Sequence, residues 1–305
     1  MSVITTGSNP RLLLEGLNKV FGTEYKAHMK QFDKIFDEQS SSKAYEVDQM
    51  VETFGLAPVK NEGDDLAYDT QMQSFNPKYV HLTYAKGFIV TKENQRDELY
   101  GMAAKRAKAL AFSMNQTKET VAANVLNNGF DSAFTMSGGD GTELFSTSHS
   151  NGPSGGTFAN KLTTDADLTE TSLEDMLIVI GNATDSRGLN VAMQAIRLVV
   201  PTALQFTSQR ILGSVLQNDT GNNATNAVRD MNSIRDGFTV NNFLTDTDAW
   251  FLKTNCPEGM KCMARQAVEN GQDNAFNSGN LRYKADERYS FGWSDPRGMY
   301  GTSGA

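Results

Sequence analysis

Apolar residues along the chain change period from one stretch to the next. From Arg11 to Glu38, Leu13, Leu17, Phe21, Tyr25, Met29, Phe32 and Phe36 recur every three or four residues. That spacing gathers them on one stripe and predicts an amphipathic helix, with a break expected at Gly22. The hydroxyl-rich connector "QSSSKAYE" follows it. A helix set off in this way must dock its aromatic stripe on the same subunit's core or on a neighbouring subunit. The period then falls to two. Val80, Leu82, Tyr84, Phe88 and Val90 alternate with polar positions in "YVHLTYAKGFIVT", as in a half-buried strand, and "YEVDQMV" alternates more weakly. Between them lie Pro58, an acidic turn at Glu62-Gly63-Asp64-Asp65, and Pro77. The expectation is a long two-stranded hairpin, too extended to hold a core of its own.

From Glu93 to Asn128 there is no proline and one internal glycine, Gly101. Leu99, Ala103, Ala107, Leu110, Met114, Val121 and Val125 form one stripe, and Asn127-Asn128-Gly129 makes a stop. A continuous helix of that length would be roughly 50 Å long and would serve as a spine. A polar stretch, "GGDGTELFSTSHSNGPSGG", precedes a second helix in "DLTETSLEDMLIVIGNATD". There Thr171 with Glu174 fits a capping box, and Leu173, Met176, Leu177 and Ile180 supply the apolar face. "AIRLVV" reads as a buried strand stopped by Pro201, which can open a helix over "TALQFTSQRILGSVL". Strands are expected in "FTVNNFL" and "DAWFLKTN", and a final one where Leu281, Tyr283, Ala285, Tyr289, Phe291 and Trp293 alternate. No internal repeat interrupts this order. The fold class is α+β.

Composition alters the picture at one point. Hydrophobic residues make up 39% of 305 residues and the mean hydropathy is -0.45, both low for a compact monomer of this size. Seventeen Phe, nine Tyr and two Trp argue against disorder. A thin subunit that buries its remaining apolar surface against copies of itself reconciles the two. The formal charge of -8 disfavours nucleic acid or an anionic membrane as a partner of the whole chain. The one tight basic cluster, Lys105, Arg106 and Lys108, reads as a solvated helix face. No apolar run approaches the ~20 residues of a membrane span, and "MSVITTGSNP" lacks a signal peptide's apolar segment. Cys256 and Cys262 are expected as free thiols in a reducing compartment.

The stretch from Gly138 to Gly156 concentrates the candidate chemistry. Ser146, Ser148 and His149 are of the types a hydrolase uses, but no G-x-S-x-G elbow frames them, and a flexible loop does not hold catalytic geometry. Gly138-Gly139-Asp140-Gly141 matches neither a Walker loop nor a dinucleotide turn and is ordinary turn chemistry. His28, His81 and His149 fall on three elements, and the two cysteines have five residues between them, outside zinc-knuckle spacing. Asp64-Asp65 and Asp286-Glu287 read as solvated turns rather than acid–base pairs. No catalytic, cofactor or metal site is expected.

The order of elements, with the segments "KVFGTEYKAHMKQFDKIFDEQSSSKAYEVDQM", "GLAPVKNEGDDLAYDT", "NQTKETVAANVLNNGFDS" and "DGTELFSTSHSNGPSGGTFANKL", resembles the major capsid proteins of tailed phages. These have the Hong Kong-type capsid fold, and the likeness is to the Mu-like major head group. It runs over essentially the full chain, through segments in order rather than one diagnostic motif. It implies an N-terminal arm (1–44), an extended E-loop (45–92) and a P-domain with the spine helix (93–185). An A-domain (186–280) and a C-terminal strand returning to the P-domain (281–305) complete it. The implied function is a structural subunit that assembles into pentamers and hexamers of an icosahedral head enclosing double-stranded DNA. Implied partners are the subunit itself, a portal, a scaffold or decoration protein, and packaged DNA contacted non-specifically, with no membrane. Assembly is expected in the host cytoplasm and residence in the virion. Because the arm follows Met1 closely, a fused scaffolding segment is not expected and a separate scaffold is. Candidate intersubunit contacts are Phe21, Tyr25 and Phe32 on the arm and Lys60, Glu62, Asp64 and Tyr68 on the E-loop. A few relatives cross-link an E-loop lysine to a neighbour's asparagine; Lys60 lies in that region, but one lysine does not carry cross-linking to this chain. The alternatives are an encapsulin-like nanocompartment shell of the same fold and, distantly, a Ser/His hydrolase.

Overall fold

A computed structural model describes residues 10–97, 101–153, 155–217, 224–275 and 277–305, without the side chains of 10–15 and 95–96. Leu99 and the Leu13 side chain therefore lie outside the described residues. The first helix, α1 (Pro10–Ala27), passes through Gly22 without a break and ends eleven residues short of the expected Glu38. The Glu119 carboxylate causes that ending. Its two oxygens accept from the backbone N–H groups of Gln31 (2.9 Å) and Phe32 (3.0 Å), amides that a continuing helix would direct at its own carbonyls. Met29 consequently leaves the stripe and is 85% exposed. The chain turns once at Phe32–Lys34 and enters strand β1 (Asp37–Ser40).

Strands β2 (Tyr45–Val47) and β3 (Lys78–Val80) pair antiparallel at the root of a long excursion. β4 (Leu82–Val90) follows at once, so the expected single strand is two. His81 sits between them, buried, and the inward phase flips there. Tyr79 and His81 point inward, while Val80 and Leu82 are 52% and 57% exposed. β3 belongs to the excursion, whereas β4 pairs antiparallel with the C-terminal strand.

The spine is also shorter than its sequence pattern. A five-residue helix α2 (Lys92–Arg96), capped by Thr91, is separate from α3 (Met102–Asn127). Gly101 adopts φ 62°, ψ 33° as the N-cap of α3, a left-handed conformation that glycine reaches easily and that resets the chain direction. At 1.5 Å per residue, α3 spans about 39 Å. Ala103, Ala107, Leu110, Met114 and Val125 are buried as the stripe predicts. A short β5–β6 pair (His149–Ser150 with Thr157–Phe158) and helix α4 (Glu170–Gly181) come next. The capping box of α4 is Thr169 with Ser172, not Thr171 with Glu174, because the helix starts two residues earlier than expected.

The remaining elements are β7 (Ala195–Val200), α5 (Gln205–Gly213), α6 (Ala227–Asp230), β8 (Phe238–Val240) and β9 (Trp250–Thr254). After these come β10 (Met260–Asn274), β11 (Leu281–Trp293) and β12 (Met299–Thr302). β10 and β12 carry no alternation that predicts them. β10 forms a long antiparallel hairpin with β11, and two register shifts between Ala264 and Glu269 scramble its phase.

Two four-stranded sheets result, ordered β1-β10-β11-β4 and β12-β9-β7-β8. α1 and α3 lie side by side on one face of the first. Leu17 and Phe21 of α1 and Ala107, Leu110 and Met114 of α3 share a core with Val90, Leu281, Tyr283 and Ala285. The helix contacts advance in step, Glu24 to Lys108 (3.7 Å) and His28 to Phe112 (ring centroids 5.1 Å), so the two helices run parallel. α4 and α5 cover the second sheet around Leu198, Trp250, Leu252 and Tyr300. A third core around Phe36, Leu126, Phe145, Phe251 and Trp293 joins the two halves.

Candidate functional site

The Gly138–Gly156 stretch is a pinned loop, not a flexible one. Leu144 and Phe145 are fully buried, as its apolar pair suggests. Phe145 N–H donates to Gly129 O (2.9 Å), and the ring lies so close to Gly129 that an added Cβ would meet it at 2.6 Å. His149 has no exposed surface. Its Nδ1 lies 2.6 Å from Asp140 Oδ2 and 2.8 Å from Thr142 Oγ1, and its Nε2–H donates to Leu144 O at 3.2 Å. Burial by itself would raise the Asp140 carboxyl, but hydrogen bonds from His149 and Thr142 outweigh it and hold the group below the usual carboxylate range. The Phe158 ring lies between His149 (centroids 5.2 Å) and the Arg297 guanidinium (4.0 Å).

With both ring nitrogens engaged, His149 has no free atom to act as base toward a serine. Ser146 Oγ accepts from Ser148 N–H at 3.5 Å and Ser148 is exposed, so the hydrolase constellation is not assembled among the described residues. The residue that sequence reasoning missed is Asn160. It is fully buried, its amide donates to the carbonyls of Leu144 (2.6 Å), Pro296 (3.1 Å) and Met299 (3.1 Å), and its Oδ1 accepts from Ser146 N–H (2.9 Å). It ties the loop to the C-terminal strand. Nothing in "FANKL" distinguishes such an asparagine from a solvated one.

Glu287 corrects a second expectation. It sits on the inward face of β11, 1% exposed, with Lys118 Nζ at 3.6 Å and Tyr25 O–H donating at 3.1 Å. Burial raises its pKa against the opposing pull of Lys118 and Tyr25. Alternation on β11 places it inward, whereas a hydrophobicity pattern scores it as a gap. Burial likewise pushes the Cys256 and Cys262 thiols up to about 12, and both are free. A cavity of about 540 Å³ opens between the root of the excursion, the pinned loop and the C-terminal turn, lined by Met50, Phe75, Met136, Met193, Trp293 and Arg297 among others. Among the described residues no cluster of His, Cys, Asp and Glu could hold a metal ion, and no helix is long and apolar enough to cross a membrane.

The excursion is built as a ladder that frays outward. Backbone pairs run from Asp48 N to Pro77 O (3.0 Å) through Met50 N to Phe75 O (3.1 Å) to Glu52 N to Met72 O (3.0 Å). Its middle is tied to the body by Thr53 Oγ1 donating to Asp185 (2.5 Å) and Arg187 donating to Thr70 O (2.6 Å). Beyond that, Asn61 Nδ2 donates to Asp64 Oδ2 (3.0 Å) in a tip turn where Gly63 has φ +88°. Lys60, Glu62 and Asp64 are exposed on this tip, and Tyr68 is 90% exposed. Leu56 (81%), Val59 (93%) and Leu66 (64%) are open beside it, an apolar concentration that a monomer rarely leaves uncovered. The arm candidates behave differently: Phe21 and Phe32 are 1% and 2% exposed within this chain, and Tyr25 is half-buried on Glu287.

A family model described as phage capsid protein matches residues 77–302, about three quarters of the chain. The chain belongs to the phage capsid protein family. As a capsid subunit its role is structural, its place is the virion, and it associates with itself in the shell. Solved structures agree on the fold. A virus-like particle from Pyrococcus furiosus is similar with a TM-score of 0.57 at 13% identity, covering 95% of this chain and 99% of that one. A Mycobacterium phage Che8 structure is similar with 0.52 at 14%, covering 91% and 93%. The capsid of a native GTA particle is similar with 0.57 at 11%, covering 90% of each chain. No curated protein matches the chain. The membership favours a phage capsid over a nanocompartment; the Mu-like grouping is finer than these likenesses reach.

Proposed function

We propose that the capsid subunit forms pentamers and hexamers of an icosahedral head that encloses double-stranded DNA, with portal and scaffold or decoration proteins as partners and without enzymatic activity. The observation that carries this reading is the exposed apolar tip at Leu56, Val59, Leu66 and Tyr68 on an excursion without a core, in a chain whose family builds shells. Burying such surface against another copy supplies the driving force that a thin monomer lacks. In this division of labour, 1–44 is the arm, 45–92 the E-loop, 93–185 the P-domain, 186–280 the A-domain and 281–305 the returning strand. Within 186–280, β10 runs along the returning strand, hydrogen-bonded to β11. Lys60, Glu62, Asp64 and Tyr68 are then intersubunit contacts. Phe21, Tyr25 and Phe32 serve the arm's own docking, since their surface is already used within the chain.

Negative-stain microscopy of the full chain expressed alone and with its neighbouring head genes tests the reading. Shells, tubes or capsomers are expected. A monomer under all these conditions sinks it, and particles holding an enzyme instead of DNA would turn it toward the nanocompartment.

A further inference from the structure

The charge of this chain is segregated. Over residues 10–34 and 102–127, which hold the two parallel helices α1 and α3, nine Lys and Arg face four Asp and Glu, a net of +5. With -8 in total, the rest of the chain carries -13. The two helices form one layer on one face of the long sheet, so their outward side chains share a surface. Lys19, Lys26, Lys105 and Lys108 are exposed there, with Arg106 half-exposed between them. Three of the layer's four acids do little to neutralise it, and the side chain of the fourth, Glu15, lies outside the described residues. Glu24 is met by Lys108 (3.7 Å), Asp33 by Lys34 (3.8 Å), and Glu119 is buried on the backbone of Gln31 and Phe32. Lys19, Lys26 and Lys105 have no acidic partner among the described residues. As a motif on one helix, Lys105-Arg106-Lys108 reads as a solvated face. The structure adds a second helix with its own lysines beside it.

We propose that this helix layer is the surface of the capsid subunit that meets packaged duplex DNA, through a few lysine–phosphate contacts that carry no sequence information. The inference rests on the capsid reading above. Charge complementarity selects the partner: duplex DNA carries one negative charge per about 1.7 Å of axis, and no other described helix pair concentrates positive charge in this way. The weakness of the contact suits the task. Exposed lysines are screened beyond about 8 Å at physiological ionic strength, and -13 on the rest of the chain opposes tight adhesion. A wall with these properties relieves repulsion between shell and DNA without stopping the DNA from being packed or released.

The test compares two neutralised full-length variants of equal net charge. One is Lys19→Gln/Lys26→Gln/Lys105→Gln on the layer. The control is Arg229→Gln/Arg235→Gln/Lys284→Gln, three exposed residues away from the layer and the excursion tip, with Lys284 on the opposite face of β11. Binding of purified subunits to a fluorescein-labelled duplex is followed by anisotropy across a salt series, and particle yield by microscopy. The expected result is that the layer variant loses at least about tenfold in affinity at low salt. Its slope of log affinity against log salt should become shallower by about 0.9 for each lysine that met a phosphate. The control should stay near wild type, and all three proteins should assemble. Equal losses in both variants, or no loss in either, overturn the proposal while leaving the capsid reading intact. Unchanged DNA binding with lost co-assembly would assign the face to an acidic protein and overturn it equally. Failure of the wild type to form particles counts against the capsid reading instead.

Discussion

At the scale of single residues, the two groups with most consequence are His149 and Glu287, both buried and paired. Replacing His149 with Ala leaves Asp140 buried without its closest partner and opens a gap beside Phe158. Breaking a buried pair from one side costs about 3 kcal/mol, so the urea midpoint of His149→Ala should fall well below that of wild type. A polar loop free to flex would show no such change. Glu287 sets a pH dependence of the opposite sign to Asp140. Its folded carboxyl binds a proton more readily than the unfolded one, so its contribution to stability grows as pH falls from 7 toward its unfolded value near 4.3. Asp140, held low, contributes fully above about 3.9 and loses that contribution as pH falls further. Urea midpoints should therefore change less between pH 7 and 5 in Glu287→Gln than in wild type; an identical slope would show that Glu287 does not titrate as its burial implies.

At the scale of elements, the joints matter more than the helices and strands they connect. Gly138 is one joint. It has φ +77°, its carbonyl accepts from Asn76 N–H (2.9 Å), and an added Cβ would stand 2.2 Å from Asn76 O. Gly138→Ala must push the pinned loop away from the strand that leads the excursion back to β3. The expected outcome is a loss of soluble, assembly-competent subunit, read by sedimentation. Gly188→Ala, also at positive φ but with open space around it, should cost only about 1 kcal/mol of backbone strain. His81 marks the second joint. Its ring bridges Ser41 Oγ and Ser290 Oγ, each at 3.0 Å, so the arm's exit, the excursion's root and the C-terminal strand meet on one side chain.

At the scale of the whole molecule, the described surface divides into a closed body and an excursion that is unfinished in the monomer. Val59→Asp with Tyr68→Asp removes apolar surface that is 93% and 90% exposed in the subunit. The thermal midpoint of the dissociated subunit should stay within the change expected of surface substitutions, about 0.5 kcal/mol. Assembly followed by light scattering should slow or fail. If the double variant assembled like wild type, the tip would not be an intersubunit contact.

Much of this was legible in the residues themselves. Period and polarity identified the arm helix, the spine, the excursion, β7 and β11, because each has one buried face in a simple phase. The tip residues were legible as exposed because a hairpin without a core has nowhere to hide them. Tertiary structure decided the rest. Glu119 ended the arm helix early by taking the Gln31 and Phe32 amides from 88 and 87 residues away, and Gly101 shortened the spine through a conformation that leaves no mark in hydropathy. Bulges hid β10, and the split at His81 was settled by which strand each half pairs with. His149 and Asn160 read as polar loop residues because hydropathy records what a side chain is. Whether it meets water or three carbonyls depends on distant segments, and only folding brings those together.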